Sequence, residues 1–241
     1  LASPSTIIIG LLPLAMIVKG MGATVSGSDR SFDQGRTPEK FAWLQAQGIN
    51  LYPQDGSGIF TDAQVLIASA AIEDSVPEVA AARDLGCARL TRAELLSRLF
   101  NAAPRSIAIG GTSGKSTVTG MIGWIMAQDG HDPTIMNGAV MKNFVAADNP
   151  FASARVGYHG TFVAEVDESD GSIDLYNPSV SVLLNVSLDH KSIEELRRLF
   201  GDFVARGGTA AVNFDDEDAR FLGERAKQVI SFAIDHPKAD L

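Results

Sequence analysis

The stretch Gly110-Gly111-Thr112-Ser113-Gly114-Lys115-Ser116-Thr117 directly follows an apolar segment, Ser106-Ile107-Ala108-Ile109. After the glycines the apolar residues recur at helical spacing, at Val118, Met121, Ile122, Ile125 and Met126. A strand that enters a helix through a glycine-rich turn gathers backbone N–H groups and the positive end of the helix around one point. The sequence therefore predicts a phosphate-binding loop and a helix that buries this apolar stripe.

The loop is the short form of the nucleotide-binding pattern, because Ile109 stands where the strict pattern has its first glycine. We expect Lys115 to contact the outer phosphates of ATP and the Ser116 hydroxyl to reach a bound Mg²⁺. The expected nucleotide contacts are Gly111, Thr112, Ser113, Gly114, Lys115, Ser116 and Thr117. The alternative is a glycine-rich turn between core elements, with Lys115 merely solvated.

Composition narrows the class of protein. With 241 residues, 45% of them hydrophobic and 20% charged, the chain has the profile of a globular protein with room for two domains. A net charge of −9 argues against a nucleic-acid partner, which requires a basic surface.

Features of membrane and secreted proteins are missing from the sequence. The longest apolar run, residues 7–18, is interrupted by Gly10 and Pro13, is too short to span a bilayer and lacks the flanks of a signal peptide. The single cysteine, Cys87, cannot form an internal disulfide. We therefore expect a cytoplasmic protein without a membrane partner. Because the chain begins at Leu1 rather than Met, we also expect a few residues to precede it.

The first hundred residues alternate strand and helix signals, which predicts a Rossmann-like, doubly wound parallel sheet. The predicted strands are 6–9, 23–26 and 64–68, and the predicted helices are 12–19, 38–47 and 77–85. Residues 101–105 are predicted to be a linker. We expect an N-terminal domain at 1–103 and a central P-loop ATPase α/β domain at 104–241, with later strands at 161–164, 180–184 and 209–212.

Four carboxylates follow the strand predicted at 161–164: Glu165, Asp167, Glu168 and Asp170. If the strand geometry continued, Glu165 and Asp167 would share one side. Such charges beside a triphosphate need a cation between them, and hard oxygen ligands favour Mg²⁺. Glu165 is the best candidate for its ligand, and a solvated acidic loop is the alternative.

Asp189 and His190 follow the next apolar strand. Because the carboxyl ends of parallel strands face one crevice, we expect His190 near the phosphates, as a metal ligand or a contact to a metal-bound oxygen.

Taken together, these blocks resemble the Mur ligases, the ATP-dependent enzymes that add amino acids to UDP-N-acetylmuramate in peptidoglycan synthesis. Six segments carry the resemblance: 25–29, 68–72, 77–83, the phosphate-binding loop, 165–170 and 185–190. It implies a Rossmann-like domain for the UDP-sugar and a central ATPase domain, as in the branch that attaches L-alanine. The carboxylate would be activated as an acyl phosphate, which the amine then opens.

The resemblance also implies roles for individual residues. Lys115, Glu165 and His190 would be catalytic, and Ser116, Glu165 and His190 would hold Mg²⁺. The UDP-sugar would lie along Ser28, Asp29 and Ser69.

Three features depart from the family pattern. The expected G-x-G turn after the first strand is replaced by Gly10-Leu11-Leu12-Pro13, and we expect a loop there that the given residues lack. Ser113 stands where this branch usually has His. The sequence stops at Leu241, where the family continues into a third domain, so we expect no turnover by this stretch alone.

Two other interpretations stay open at this stage. One is the recycling ligase that attaches a whole peptide to the UDP-sugar. The other is a non-catalytic nucleotide sensor, in which Asp29 binds a ribose hydroxyl of NAD. Hydrolysis of ATP that depends on a UDP-sugar would separate a ligase from a sensor. The sequence indicates neither which amino acid or peptide is added nor an oligomeric state.

Overall fold

The computed structural model describes residues 6–9, 12–70, 72–189 and 191–241. The chain divides into two compact units, Leu1–Leu96 and Ser97–Leu241. Each unit has its own β-sheet, and most strands in both sheets are parallel. The expected domain boundary at 103/104 stays a prediction.

The first unit alternates strands and helices as predicted. Its elements are β1 (Thr6–Ile9), α1 (Leu12–Gly20), β2 (Val25–Ser28), α2 (Arg30–Asp33), α3 (Pro38–Ala46), β3 (Asn50–Tyr52), β4 (Val65–Ala68), α4 (Pro77–Leu85), β5 (Ala88–Thr91) and α5 (Arg92–Asn101), which runs into the second unit. The strand order is β3-β2-β1-β4-β5, all parallel. This order reverses at β1, the point at which ligands bind in open α/β sheets.

Helix α4 illustrates how local sequence sets the ends of an element. Pro77 stands in the first turn, where its missing N–H costs nothing, and Gly86 ends the helix with a φ of +76°. Val79 and Ala82 on its inner face pack against Ile59 and Leu66. Pro77 and Gly86 thus give the helix the bounds that the sequence predicted.

The second unit contains the predicted phosphate-binding loop. Its elements are β6 (Arg105–Gly110), α6 (Lys115–Gln128), β7 (Thr134–Met136), β8 (Ala154–Arg155), β9 (Thr161–Glu165), β10 (Val180–Leu183), α7 (Ile193–Arg206), β11 (Thr209–Asn213), α8 (Glu217–Gly223) and β12 (Val229–Phe232). The strand order is β12-β11-β10-β6-β9-β7-β8, parallel except for the pair β7–β8. Strand β6 thus lies in the interior of the sheet.

Helices α6 and α7 cover opposite faces of this sheet. Ile109 packs with Val118 and Ile122 of α6, whereas a side chain on the next residue, Gly110, would meet Phe203 of α7. The predicted apolar stripe of α6 is only partly correct. Val118, Ile122 and Met126 pack on the sheet, but Met121 and Ile125 are exposed, because the helix meets the sheet along one i, i+4 row.

Most predicted boundaries agree with the structure to within one residue, and two regions differ by more. Residues 101–105 are not a free linker, because Asn101 ends α5 and Arg105 begins β6. Asn101 donates through Nδ2 to the carbonyl of Leu175 at 2.8 Å and accepts from the N–H of Asn177. The second strand begins at Val25, two residues later than predicted.

No helix among the described residues has both the length and the apolar character needed to cross a membrane.

Phe100 is a fully buried residue of the second unit, and its ring packs edge-on against Phe162 and Tyr176. We expect Phe100→Ala to lower the free energy of unfolding by about 3–5 kcal/mol, because the cavity cannot collapse fully. The measurement is urea unfolding followed by circular dichroism. The matched control is Phe60→Ala, since Phe60 is 63% exposed, and equal losses for the two variants would contradict the packing described here.

Candidate phosphate and metal site

The site lies at the carboxyl edge of the second sheet, where three neighbouring parallel strands end. Strand β6 pairs with β9 on one side and with β10 on the other. The register places Ile109 beside Glu165 and Gly110 beside Leu183. The glycine-rich loop, the acidic segment and the segment before His190 therefore leave the sheet side by side, as the sequence predicted.

The loop joins β6 to α6, which begins at Lys115. Gly111 and Gly114 have φ values of +142° and +82°, in the region that favours glycine. Ser113, Gly114 and Thr117 are exposed at the start of α6. An anionic ligand can therefore reach the positive end of the helix.

Asn185, two residues after the end of β10, holds the tip of this loop. Its carbonyl accepts from the N–H of Thr112 at 3.2 Å, and its Oδ1 accepts from the N–H of Ser113 at 2.9 Å. Its Nδ2 donates to the carbonyl of Ser113 at 3.1 Å. Sequence reasoning missed Asn185 as a site residue, although its signal was a polar residue at the end of an apolar strand.

Ser116 and Glu165 meet across the strand ends. The Ser116 hydroxyl donates to Glu165 Oε2 at 2.6 Å, a short hydrogen bond to a charged acceptor. Asn137, just after β7, donates through Nδ2 to the Ser116 carbonyl at 3.0 Å. A side chain at Gly138 would collide with Glu165 Oε1. Asn137 and Gly138 therefore border the site, and the sequence analysis predicted neither of them as a site residue.

The four carboxylates of the acidic segment, residues 165–170, are not arranged as predicted. Strand β9 ends at Glu165, so the alternation of a strand does not extend to Asp167. Asp167 is exposed and accepts from the N–H of Ser169 at 2.8 Å. Glu168 instead turns inward and pairs with Lys115 at 2.9 Å. The carboxylates at the phosphate-binding loop are therefore Glu165 and Glu168.

The donor set fits a hard divalent cation. Among the described residues Glu165 makes no ion pair, whereas Glu168 is neutralised by Lys115. The Oδ1 atom of Asn137 is buried and has no hydrogen-bond partner among the residues that the structure describes. A carboxylate, a hydroxyl and an unsatisfied amide oxygen are oxygen donors of the kind that Mg²⁺ prefers. Within residues 6–9, 12–70, 72–189 and 191–241, no group of three or more His, Cys, Asp or Glu is placed to hold a metal.

His190, the third predicted metal ligand, lies outside the described residues. Its neighbour Asp189 is exposed. The expected turn after Gly10 also falls on residues that the structure does not describe.

The residues predicted to bind the UDP-sugar lie at the carboxyl edge of the first sheet. Ser28 ends β2 and Ser69 directly follows β4, on either side of β1. The hydroxyl of Ser28 is buried, with no hydrogen-bond partner among the described residues. Asp29 caps α2 by accepting from the N–H of Ser31 at 2.7 Å, and its other oxygen lies 3.5 Å from Lys40 Nζ.

Comparison with known proteins gives consistent matches over both units. Residues 9–103 match the Mur ligase family, catalytic domain, and residues 109–241 match the Mur ligase middle domain. The UDP-N-acetylmuramate–L-alanine ligase of Desulfotalea psychrophila is 32% identical over 97% of this chain and 50% of its own length. The chain spans about half the length of the curated relatives it matches.

Two solved structures share the fold. The UDP-N-acetylmuramate–alanine ligase of Thermotoga maritima has a TM-score of 0.79 and 22% identity, over 96% of this chain and 53% of its own. The UDP-N-acetylmuramate:L-alanyl-γ-D-glutamyl-meso-diaminopimelate ligase of Neisseria meningitides also has a TM-score of 0.79, with 24% identity over 96% of this chain and 78% of its own. With two family domains matched in order along two α/β units, this chain belongs to the Mur ligase family.

Proposed function

We propose that this chain provides the UDP-sugar-binding and ATP-binding units of a UDP-N-acetylmuramate–L-alanine ligase. The observation that carries the proposal is the meeting of Ser116 with Glu165 beside Lys115, at the strand edge of a Mur ligase middle domain. The relative from Desulfotalea psychrophila and those from Persephonella marina and Lachnospira eligens are all named as ligases of L-alanine, which supports that acceptor over a peptide. We also propose that the protein works in the cytoplasm.

The phosphate-binding loop would hold ATP at the start of α6. The positive end of α6 attracts anionic oxygens, and Lys115 adds a positive charge there. Ser116 and Glu165 would hold Mg²⁺, and the unsatisfied Oδ1 of Asn137, whose Nδ2 contacts the Ser116 carbonyl, would add a further oxygen. We propose the same for His190, on the resemblance alone.

In this reaction the chain would mainly position the substrates and stabilise the negative charge of the transition state. ATP supplies the phosphoryl group that activates the muramate carboxylate, and the amino group of the amino acid then displaces it. Lys115 would stabilise the negative charge that develops on the transferred group. Glu165 would keep the cation on the side of the loop that faces β9. Asn185 holds the loop through its hydrogen bonds with Thr112 and Ser113.

In the first unit, we propose that the diphosphate and sugar bind at the edge where β1 lies between β2 and β4. The buried, unsatisfied hydroxyl of Ser28 supports this, because buried hydroxyl groups are nearly always hydrogen-bonded and a ligand at this edge would supply the partner. Ser69 borders the same edge of the sheet. Both carboxylate oxygens of Asp29 have partners within the chain, so we assign it the role of orienting α2 and Lys40 beside the ligand.

The test of the proposed function is a ligation assay on the full gene product. The protein is incubated with UDP-N-acetylmuramate, Mg²⁺, ATP and either a single amino acid or the tripeptide L-alanyl-γ-D-glutamyl-meso-diaminopimelate, and the product mass is measured. We expect the mass of the alanyl product, with release of ADP only when the UDP-sugar is present. A product formed only with a tripeptide would identify a recycling ligase, and nucleotide binding without turnover would identify a sensor.

Lys115→Ala should lower the rate of ligation by about 10²–10³-fold, since a donor aimed at developing charge is lost. The measurement is phosphate release under saturating substrates. The control is Lys227→Ala, which removes the same charge from an exposed position of the second unit. A near-normal rate for Lys115→Ala would remove this lysine from the mechanism.

Glu165→Gln should raise the Mg²⁺ concentration for half-maximal activity by at least about tenfold, because metal affinity follows the number of charged ligands. The measurement is a Mg²⁺ titration of the ligation rate at fixed ATP. Asp170→Asn is the control, since it removes one negative charge from the same segment at an exposed position. An unchanged Mg²⁺ requirement for Glu165→Gln would show that this carboxylate does not hold the metal.

A further inference from the structure

The ammonium group of Lys115 is fully engaged within the chain. It donates to the carbonyl of Gly111 at 2.7 Å and to the two carboxylate oxygens of Glu168 at 3.1 and 2.9 Å. An ammonium group has three N–H donors, and here three acceptor oxygens surround it. A phosphate oxygen can therefore bind Lys115 only by displacing or sharing one of these partners.

The pair between Lys115 and Glu168 is well shielded from water. Their side chains are 19% and 6% exposed. Exposed ion pairs contribute little to binding or stability, but a shielded pair with hydrogen bonds to both oxygens is much stronger. Opening it therefore imposes a measurable penalty on any ligand that needs Lys115.

The backbone conformation after β9 places the Glu168 side chain towards Lys115. The N–H of Val166 donates to the carbonyl of Ile109 at 3.0 Å, which ties the start of the segment to β6. Asp167 and Asp170 each accept from the N–H two residues on, at Ser169 and Ser172, and both point outward. With its neighbours fixed in these turns, Glu168 is left on the inner side of the segment.

We propose that Glu168 is a positioning residue that competes with phosphate for Lys115. Its two oxygens occupy the ammonium group as two oxygens of a phosphate would, and they hold the lysine in place in the nucleotide-free protein. When a nucleotide with outer phosphates binds, Lys115 moves from Glu168 to the phosphates. It returns to Glu168 as they leave, so Glu168 weakens the binding of ATP and ADP and favours release of the product. This inference rests on the proposed ATP site.

The test compares nucleotide affinities of the full protein with those of Glu168→Gln by calorimetry. Glutamine keeps the shape of the side chain but loses its charge. Because one charge-assisted hydrogen bond is worth about 1.5–3 kcal/mol, we expect ATP and ADP to bind Glu168→Gln about tenfold more tightly. AMP should bind equally to both proteins, because it has no outer phosphate to reach Lys115. Asp170→Asn makes the same charge change in the same segment and keeps an Oδ1 that accepts from the Ser172 N–H, so it should shift the affinity for ATP by less than about twofold.

Each outcome has a definite meaning. Unchanged or weaker ATP binding by Glu168→Gln overturns the inference, and so does an equal gain for AMP, since a gain for AMP cannot act through Lys115. Failure of the unmodified protein to bind ATP at all overturns the proposed function instead.

A second measurement uses the unmodified protein, so it does not depend on whether a Glu168 variant folds. The ¹⁵Nζ resonance of Lys115 in the unmodified protein should show slow proton exchange, shift on addition of ADP and stay unchanged with AMP. The resonance is assigned by its loss in Lys115→Ala. Rapid exchange in the nucleotide-free protein would show that the pair with Glu168 does not hold the lysine, and would overturn the inference.

Discussion

The close approach of the phosphate-binding loop to its neighbours is the constraint on which the rest of the site depends. A side chain at Gly110 would lie 3.0 Å from the Phe203 ring, and one at Gly111 would lie 3.1 Å from Leu184 Cβ. Gly111 also has a φ of +142°, which side chains rarely allow. Glycine at these positions lets the loop pack tightly between α7 and the end of β10. This packing brings Thr112 and Ser113 within reach of Asn185.

The electrostatics of the site follow from that packing. Two carboxylates, Glu165 and Glu168, are brought to the loop, and Lys115 pairs with one of them. The described part of the site is therefore left with excess negative charge before any phosphate arrives. A triphosphate in such a place needs a divalent cation, and Glu165 is the carboxylate that remains available to it. The pairing of Lys115 with Glu168 also means that the lysine is held in place but not free.

Much of the fold could be predicted from local patterns. Helix α4 has the predicted bounds because Pro77 and Gly86 set its ends. The turn between β6 and α6 could be placed because its glycines stand between an apolar strand and a helical pattern, and phosphate binding by this turn stays a prediction. Helix α7 was not predicted, although Ser192 caps it by accepting from the N–H of Glu195 at 3.2 Å and its inner face is apolar. Met121 and Ile125 were wrongly placed in the core, because helical spacing does not indicate how wide a strip of the helix the sheet covers.

The sequence by itself determined the chemical inventory: a glycine-rich loop with Lys115 and Ser116, a carboxylate at the end of one strand, and polar residues at the end of another. It also determined that these lie on alternating strands and helices, because apolar periodicity depends only on local order. Which carboxylate faces the loop was decided by the tertiary structure, since strand alternation ends at Glu165 and the turn at Asp167 sends Glu168 inward. The contacts of Asn137 and Asn185 with the loop were decided in the same way, because they depend on which strands are neighbours in the sheet.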